Sequence, residues 1–134
     1  MEECLFCKII AGEIPATKVY EDADVLAFLD ISQVTKGHTL LVPKTHSRNL
    51  LALSASESAA LWAKVPALAN QLIKNLSADG LNILQNNETA AGQSVFHTHI
   101  HLIPRYAGDG NVFEKLDADT NLAKIAAQIT GGAE

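Results

Sequence analysis

The chain has 134 residues, 48% of them hydrophobic, with a net charge of −5 and a sequence pI of about 5.4. Those values suit one compact domain and exclude a disordered chain. They also exclude a protein that grips nucleic acid through a broad basic face. One small anionic ligand remains compatible, because it needs only a local donor cluster. Lys36 with His38, and Lys44 with His46 and Arg48, are the basic groupings on offer.

The opening MEECLFCKII lacks the apolar run of a secretion signal, and no stretch approaches the ~18 apolar residues of a membrane span. The expected location is the cytoplasm, with no membrane contact. A short helix is expected over residues 5–11, closed by Gly12 and followed by Pro15. Residues 18–30 read as a hairpin turning at Glu21-Asp22-Ala23-Asp24. Residues 38–43 form a short apolar strand after the Lys36-Gly37 turn. Ser54 and Glu57 have the spacing of a capping box. From there Leu61, Val65, Leu68, Leu72 and Leu76 recur at helical spacing, so one long helix is expected, kinked at Pro66. Its apolar stripe is wide enough for a core and a subunit contact. Residues 81–85 read as a strand, 86–92 as a polar loop, and 94–104 as a further strand. Leu122, Ile125 and Ile129 mark a last amphipathic helix over 121–129, stopped by Gly131-Gly132. Strands joined by turns, with helices between them, make a mostly antiparallel α+β domain.

The strongest signal is Ser94-Val95-Phe96-His97-Thr98-His99-Ile100-His101-Leu102-Ile103-Pro104. Residues two apart on a strand share a face, so His97, His99 and His101 point one way while Phe96, Thr98, Ile100 and Leu102 point toward a core. Such a row could bind a metal. One ion would not hold all three, because the outer pair is ~13 Å apart at ~3.3 Å per residue. Alternatively, a neutral imidazole could attack phosphorus while a neighbour donates to the oxygens where charge accumulates. A third reading is a polar strand face that happens to be rich in His. The preceding Gly92-Gln93-Ser94 favours phosphate chemistry. Glycine admits close backbone approach, and successive N–H groups with a hydroxyl form an anion-binding concavity.

The run from Gly92 to Pro104 resembles the His-x-His-x-His signature of the histidine triad (HIT) family, most closely its small bacterial Hint-like members. Two further blocks resemble the same family: residues 29–43, from Leu29-Asp30-Ile31-Ser32 to Lys36-Gly37-His38-Thr39-Leu40-Leu41-Val42-Pro43, and Ile9-Ile10-Ala11-Gly12-Glu13-Ile14-Pro15. The resemblance implies a single HIT-like domain over 1–134, with a core at 4–106 and a C-terminal tail or helix at 107–134. It implies a five-stranded, mostly antiparallel sheet with one long and one or two short helices, and a homodimer.

By the same resemblance His99 is the nucleophile that attacks the α-phosphorus of a purine nucleotide, forming a nucleotidyl-histidine that water releases as a nucleoside monophosphate. His101 donates to a phosphate oxygen and His38 supports it. Ser94, with Gly92 and Gln93, holds the phosphate, and Ser94 helps the leaving group. Asp30 accepts from the ribose hydroxyls, Ile31 lines the base pocket, and Asn86 stands at the phosphate. Simpler roles exist for several: Asp30 as a turn cap, His38 as a satisfied strand histidine, Asn86 as a loop former.

Cys4 and Cys7 have zinc half-site spacing, and the resemblance points to His46 and His97 as the other two ligands of a structural zinc. The alternative is two free thiols. Phosphoramidase and dinucleoside polyphosphate hydrolase activities both fit the triad, since only the leaving group differs. Two other classes are a nucleotide-binding regulatory protein with incidental catalysis and a metalloenzyme built on the histidine row.

Overall fold

The computed structural model describes residues 3–110 and 121–131. Five strands form one antiparallel sheet in the order β1-β2-β3-β5-β4: β1 Lys18–Glu21, β2 Val25–Leu29, β3 Thr39–Pro43, β4 Gly80–Leu84 and β5 Ile100–Arg105. The helices are α1 Leu5–Ile10, α2 Ala55–Trp62, α3 Val65–Leu76 and α4 Leu122–Thr130. Among the described residues no helix is long and apolar enough to cross a membrane. Residues 111–120 and 132–134 of the expected tail, Gly132 among them, lie outside the described residues.

Both faces of the sheet are covered, which is why β2 and β3 read as unbroken apolar runs rather than alternating ones. Val25, Ala27, Leu41, Ile100 and Leu102 meet Leu61, Val65, Leu68 and Leu72 of α2 and α3 on one face. Leu26, Phe28, Leu40 and Val42 meet Phe6 and Ile9 of α1 on the other. Pairing sets Leu40 opposite both Phe28 and His101, so these three share the α1 face. That parity delivers His101 to the side away from α3.

Two expectations are corrected. The long helix is broken, not kinked. The Ser54–Glu57 capping box starts α2, which stops at Trp62, and α3 begins at Val65 with Pro66 in its first turn. Pro66 has no N–H for a continuing helix, but a first turn has no use for that donor, so the chain ends one helix and starts another. The stripe from Leu61 to Leu72 is spent on the core, at 2–7% exposure.

The histidine strand is also shorter than expected, starting at Ile100 instead of Ser94. The β3–β5 ladder runs Thr39↔Leu102, Leu40↔His101, Leu41↔Ile100, and further extension would oppose residue 98 to Pro43, which lacks a ladder donor. The Pro43 carbonyl is taken instead by the His97 ring at 2.8 Å, and the Thr98 N–H goes to the Ser47 carbonyl at 2.9 Å. His97 and His99 therefore precede the strand, and only His101 lies on it.

Gly37 closes the turn into β3. Its φ is +96°, and a Cβ there would run into Leu76 of α3. Only glycine satisfies both constraints.

Candidate active site

A cavity of about 880 Å³ opens between α1, the end of β2 and the segment entering β5. Phe6, Ile9, Ile14, Phe28 and Leu29 make an apolar wall, while Asp30, Ser94, His99 and His101 bring polar groups to it. Ile31 lines its rim and is fully exposed. An apolar pocket with a few convergent polar groups is the usual form of a small-molecule site.

Hydrogen bonds define the state of each imidazole. The Val34 N–H donates to His38 Nδ1 at 3.3 Å, so neutral His38 carries its proton on Nε2. His38 Nε2–H donates to His101 Nδ1 at 2.9 Å. His101 must then carry its own proton on Nε2, as a donor for a ligand. His99 Nδ1–H donates to the His97 carbonyl at 2.7 Å, which leaves the Nε2 lone pair for chemistry. The His99 and His101 rings stand 5.0 Å apart, centre to centre. Burial pushes His99 below its ordinary value of 6.5. Burial, with His99 and His38 alongside, pushes His101 down to about 4. Near pH 7 the result is a neutral nucleophile beside a neutral N–H donor.

Asp30 does two things. One carboxylate oxygen accepts the Ser32 N–H at 2.8 Å, capping the turn, and the other lies 3.6 Å from His38 Nε2. Gln33, a residue the sequence did not single out, binds this loop together. Its amide donates to the Asp30 and His38 carbonyls at 2.6 and 2.8 Å and accepts the Gly37 N–H at 2.8 Å. Nothing in the sequence marks it, because a lone Gln in a polar loop carries no periodic signal.

The phosphate-loop residues divide. Ser94 is exposed and lines the cavity. Gly92 adopts φ +94° beside the Asn86 amide, and neither residue lines the cavity. Gln93 turns its side chain into the protein. It is 3% exposed and bonds Asn49, the Glu88 N–H, and the Arg48 and Val95 carbonyls. With both ends of its amide engaged, the side chain frames the loop that carries Ser94. Two of the basic residues are committed elsewhere: Lys44 pairs with Glu21 at 2.8 Å and Arg48 with Glu88 at 2.7 Å. Among the described residues no Lys or Arg lines the cavity, so an anion there meets neutral donors.

Beside the cavity, Cys4, Cys7, His46 and His97 converge. Facing atoms are 3.4 Å (Cys4 Sγ to His97 Nδ1), 3.3 Å (Cys7 Sγ to His46 Nδ1), 3.5 Å (Cys7 Sγ to His97 Nδ1) and 3.2 Å (His46 Nδ1 to His97 Nδ1). All four ligand atoms lie within 4.8 Å of one another. Tetrahedral zinc with ~2.3 Å sulfur and ~2.0 Å nitrogen bonds needs neighbours roughly 3.3–3.8 Å apart, so the donor set fits that ion. Because His97 Nε2–H is held by the Pro43 carbonyl, Nδ1 presents its lone pair, the orientation a metal-ligating imidazole needs. The histidine row is thus split: His99 and His101 face the cavity, and the His97 ring faces the cysteines.

The family model for the HIT domain matches residues 11–108. The chain belongs to the HIT family. Among HIT relatives it is similar to Protein hit of Bacillus subtilis strain 168, with 56% identity over 110 residues, 81% of this chain and 76% of that one. It is 47% identical over 107 residues to Adenylylsulfatase HINT3 of Arabidopsis thaliana, spanning 80% of this chain and 54% of the plant protein. A solved structure from Streptococcus mutans superposes with a TM-score of 0.91 at 51% identity, covering 98% of this chain and 83% of that one. The histidine triad nucleotide-binding protein of Candida albicans superposes with a TM-score of 0.79 at 33% identity over 96% of each chain.

Proposed function

We propose that this HIT protein is a nucleotide hydrolase or nucleotidyl transferase that works at the α-phosphorus of purine nucleoside phosphoramidates or related nucleotides. The observation that carries the reading is the pair of complementary tautomers, a free Nε2 lone pair on His99 beside an Nε2–H donor on His101. His99 Nε2 bonds to phosphorus as the bond to the leaving group breaks. The leaving atom takes that electron pair and a solvent proton passed through the Ser94 hydroxyl. His101 Nε2–H donates to a phosphate oxygen throughout. The His97 carbonyl keeps its bond to Nδ1–H and so stabilises the charged nucleotidyl-imidazolium. Water then attacks phosphorus, the Nε2–P bond breaks, and the water's proton returns to solvent. The apolar wall takes the base, with Ile31 at its rim, and Asp30 accepts from the ribose. Asn86 supports the phosphate loop through Gly92. The name of the plant adenylylsulfatase is consistent with chemistry at a nucleotide phosphorus.

The test is to incubate the protein with adenosine 5′-phosphoramidate, quench in acid-free denaturant and map the modified peptide. A nucleotidyl group on His99 is expected. Modification at another residue, or turnover without any trapped intermediate under single-turnover conditions, would overturn the mechanism. Diadenosine polyphosphate, run beside the phosphoramidate, reports which leaving group is preferred. If His99→Ala retained the biological effect, the protein would be a nucleotide-binding regulator rather than an enzyme.

Cys4, Cys7, His46 and His97 would hold one structural zinc, whose four protein ligands leave it no open position for chemistry. Paired cysteines kept as thiolates under metal suit the reducing cytoplasm. A homodimer is supported by β4, an outer strand of the sheet among the described residues, which carries Ile83 at 44% exposure. Light scattering at micromolar concentration should give twice the chain mass.

A further inference from the structure

Phe6 sits between the two cysteines of Cys4-Leu5-Phe6-Cys7 and is 4% exposed. Its ring packs edge-to-face on His99, with centroids 5.1 Å apart at 87°, and on His97 at 5.9 Å and 70°. It also packs on Phe28 of β2 at 5.4 Å. Leu5, Phe6 and Ile9, all on α1, line the cavity. The helix that makes this wall is only six residues long, begins at Leu5, and has Cys4 as its N-cap, whose Sγ accepts the Cys7 N–H at 3.3 Å. A helix of that length does not hold itself together. Its position is fixed by the apolar contacts of Phe6 and Ile9 and by whatever holds the two sulfurs against His46 and His97.

His97 makes the second connection. Its Nδ1 faces both sulfurs, and its carbonyl accepts the His99 Nδ1–H. The thiol–imidazole cluster therefore reaches the nucleophile by two routes, the His97 backbone and the Phe6 ring. Both routes meet on one imidazole.

We propose that Phe6 is a positioning residue through which the occupied Cys4–Cys7–His46–His97 cluster orients His99 and shapes the nucleotide pocket, so that metal occupancy sets nucleotide affinity. Binding of zinc(II) fixes Cys4 and Cys7, which fixes the first turn of α1 and hence the Phe6 ring. Without the ion, α1 is released from the sulfur side and the pocket loses a rigid wall. This inference rests on the reading of His99 as the nucleophile and of the cavity as the nucleotide site. It adds a dependence that neither reading requires.

The experiment is a double-mutant cycle read by binding. Dissociation constants for adenosine 5′-monophosphate, a product that does not turn over, are measured by titration for wild type and Phe6→Leu, each loaded with zinc and stripped of it. Zinc per chain is measured alongside. Phe6→Leu keeps an apolar side chain and leaves all four ligands in place, so it should retain one zinc. An edge-to-face ring contact corresponds to a change of about three- to tenfold. Loaded Phe6→Leu should therefore bind about three- to tenfold more weakly than loaded wild type. Stripping wild type should weaken binding by at least as much, and in stripped protein Phe6→Leu should have little further effect. Phe6→Tyr, which keeps the ring, should restore most of the loaded affinity. Single-turnover formation of the nucleotidyl group should slow in loaded Phe6→Leu even at saturating substrate.

Additive effects of metal removal and Phe6→Leu would overturn the proposal. So would an unchanged dissociation constant in stripped wild type. The trapping experiment fails independently: no adduct on His99 would sink the mechanism while leaving the binding cycle readable.

Discussion

His99 and His101 are both imidazoles on the same cavity, yet their neighbours give them opposite roles. The difference traces to single backbone groups: the Val34 N–H sets the tautomer of His38 and hence of His101, while the His97 carbonyl sets that of His99. His99→Ala removes the lone pair presented to the cavity, and kcat should fall by roughly four orders of magnitude or more, measured by release of nucleoside monophosphate. Affinity for the monophosphate should change far less. A pH profile tests the same assignment. Burial holds the folded pKa of His99 below 6.5, so the nucleophile stays neutral at pH 7 and is lost only when protons win against burial. The acid limb of kcat/KM should consequently lie below pH 6.5, with no loss of activity between 6.5 and 7.5. A limb above 6.5 would mean that a different group, or a raised pKa, controls the nucleophile.

Much of this was legible in the sequence because it depends on short-range order. The alternation in Thr98-His99-Ile100-His101-Leu102 puts Ile100 and Leu102 in one core cluster and His101 on the opposite face, as pleat parity demands. The hairpin and the Ser54–Glu57 capping box read correctly for the same reason. The bend at 94–99 did not. It is caused by Pro43, more than fifty residues away in sequence, and by bonds from His97 and Thr98 to the 43–47 segment. Local periodicity cannot report a partner at that distance. The framing bonds of the Gln93 side chain escaped the sequence for a related reason, since its four partners come from residues 48–49, 88 and 95. At the level of elements this loop depends on that one amide. Gln93→Leu would leave the Glu88 N–H and the Arg48 and Val95 carbonyls without it, at a cost of about 1–3 kcal/mol for each buried group that water cannot reach. Thermal unfolding should show a clear fall in Tm, and KM should rise through the displaced Ser94. Gly37→Ala should also lower Tm, by a different mechanism, because it forces a Cβ against Leu76 at a φ of +96°.

For the whole molecule, burying imidazoles beside one another ties stability to pH. His97 and His101 are each pushed down to about 4, His97 by burial with the Pro43 hydrogen bond partly opposing, and His101 by burial with its histidine neighbours adding to the effect. In the unfolded chain both titrate near 6.5. Above that pH neither state binds these protons, and the contribution of the two groups is fully present. Between about 6.5 and 4 the unfolded chain takes up protons that the folded chain refuses, so stability falls as pH falls. In zinc-free protein the slope of unfolding free energy against pH should be positive over that interval, with His99, also held below 6.5 by burial, adding to the two, read from urea titrations at successive pH values. Zinc changes the outcome for one of the two groups. A bound ion occupies His97 Nδ1 and competes with protons for it, adding a stability that grows with the logarithm of free zinc. Loaded protein should then unfold at higher urea at neutral pH and lose the advantage abruptly as acid expels the ion. Cys4→Ser with Cys7→Ser should follow the zinc-free curve whether or not zinc is supplied. Equal curves for loaded and stripped wild type would show that the four converging side chains hold no ion that matters to the fold.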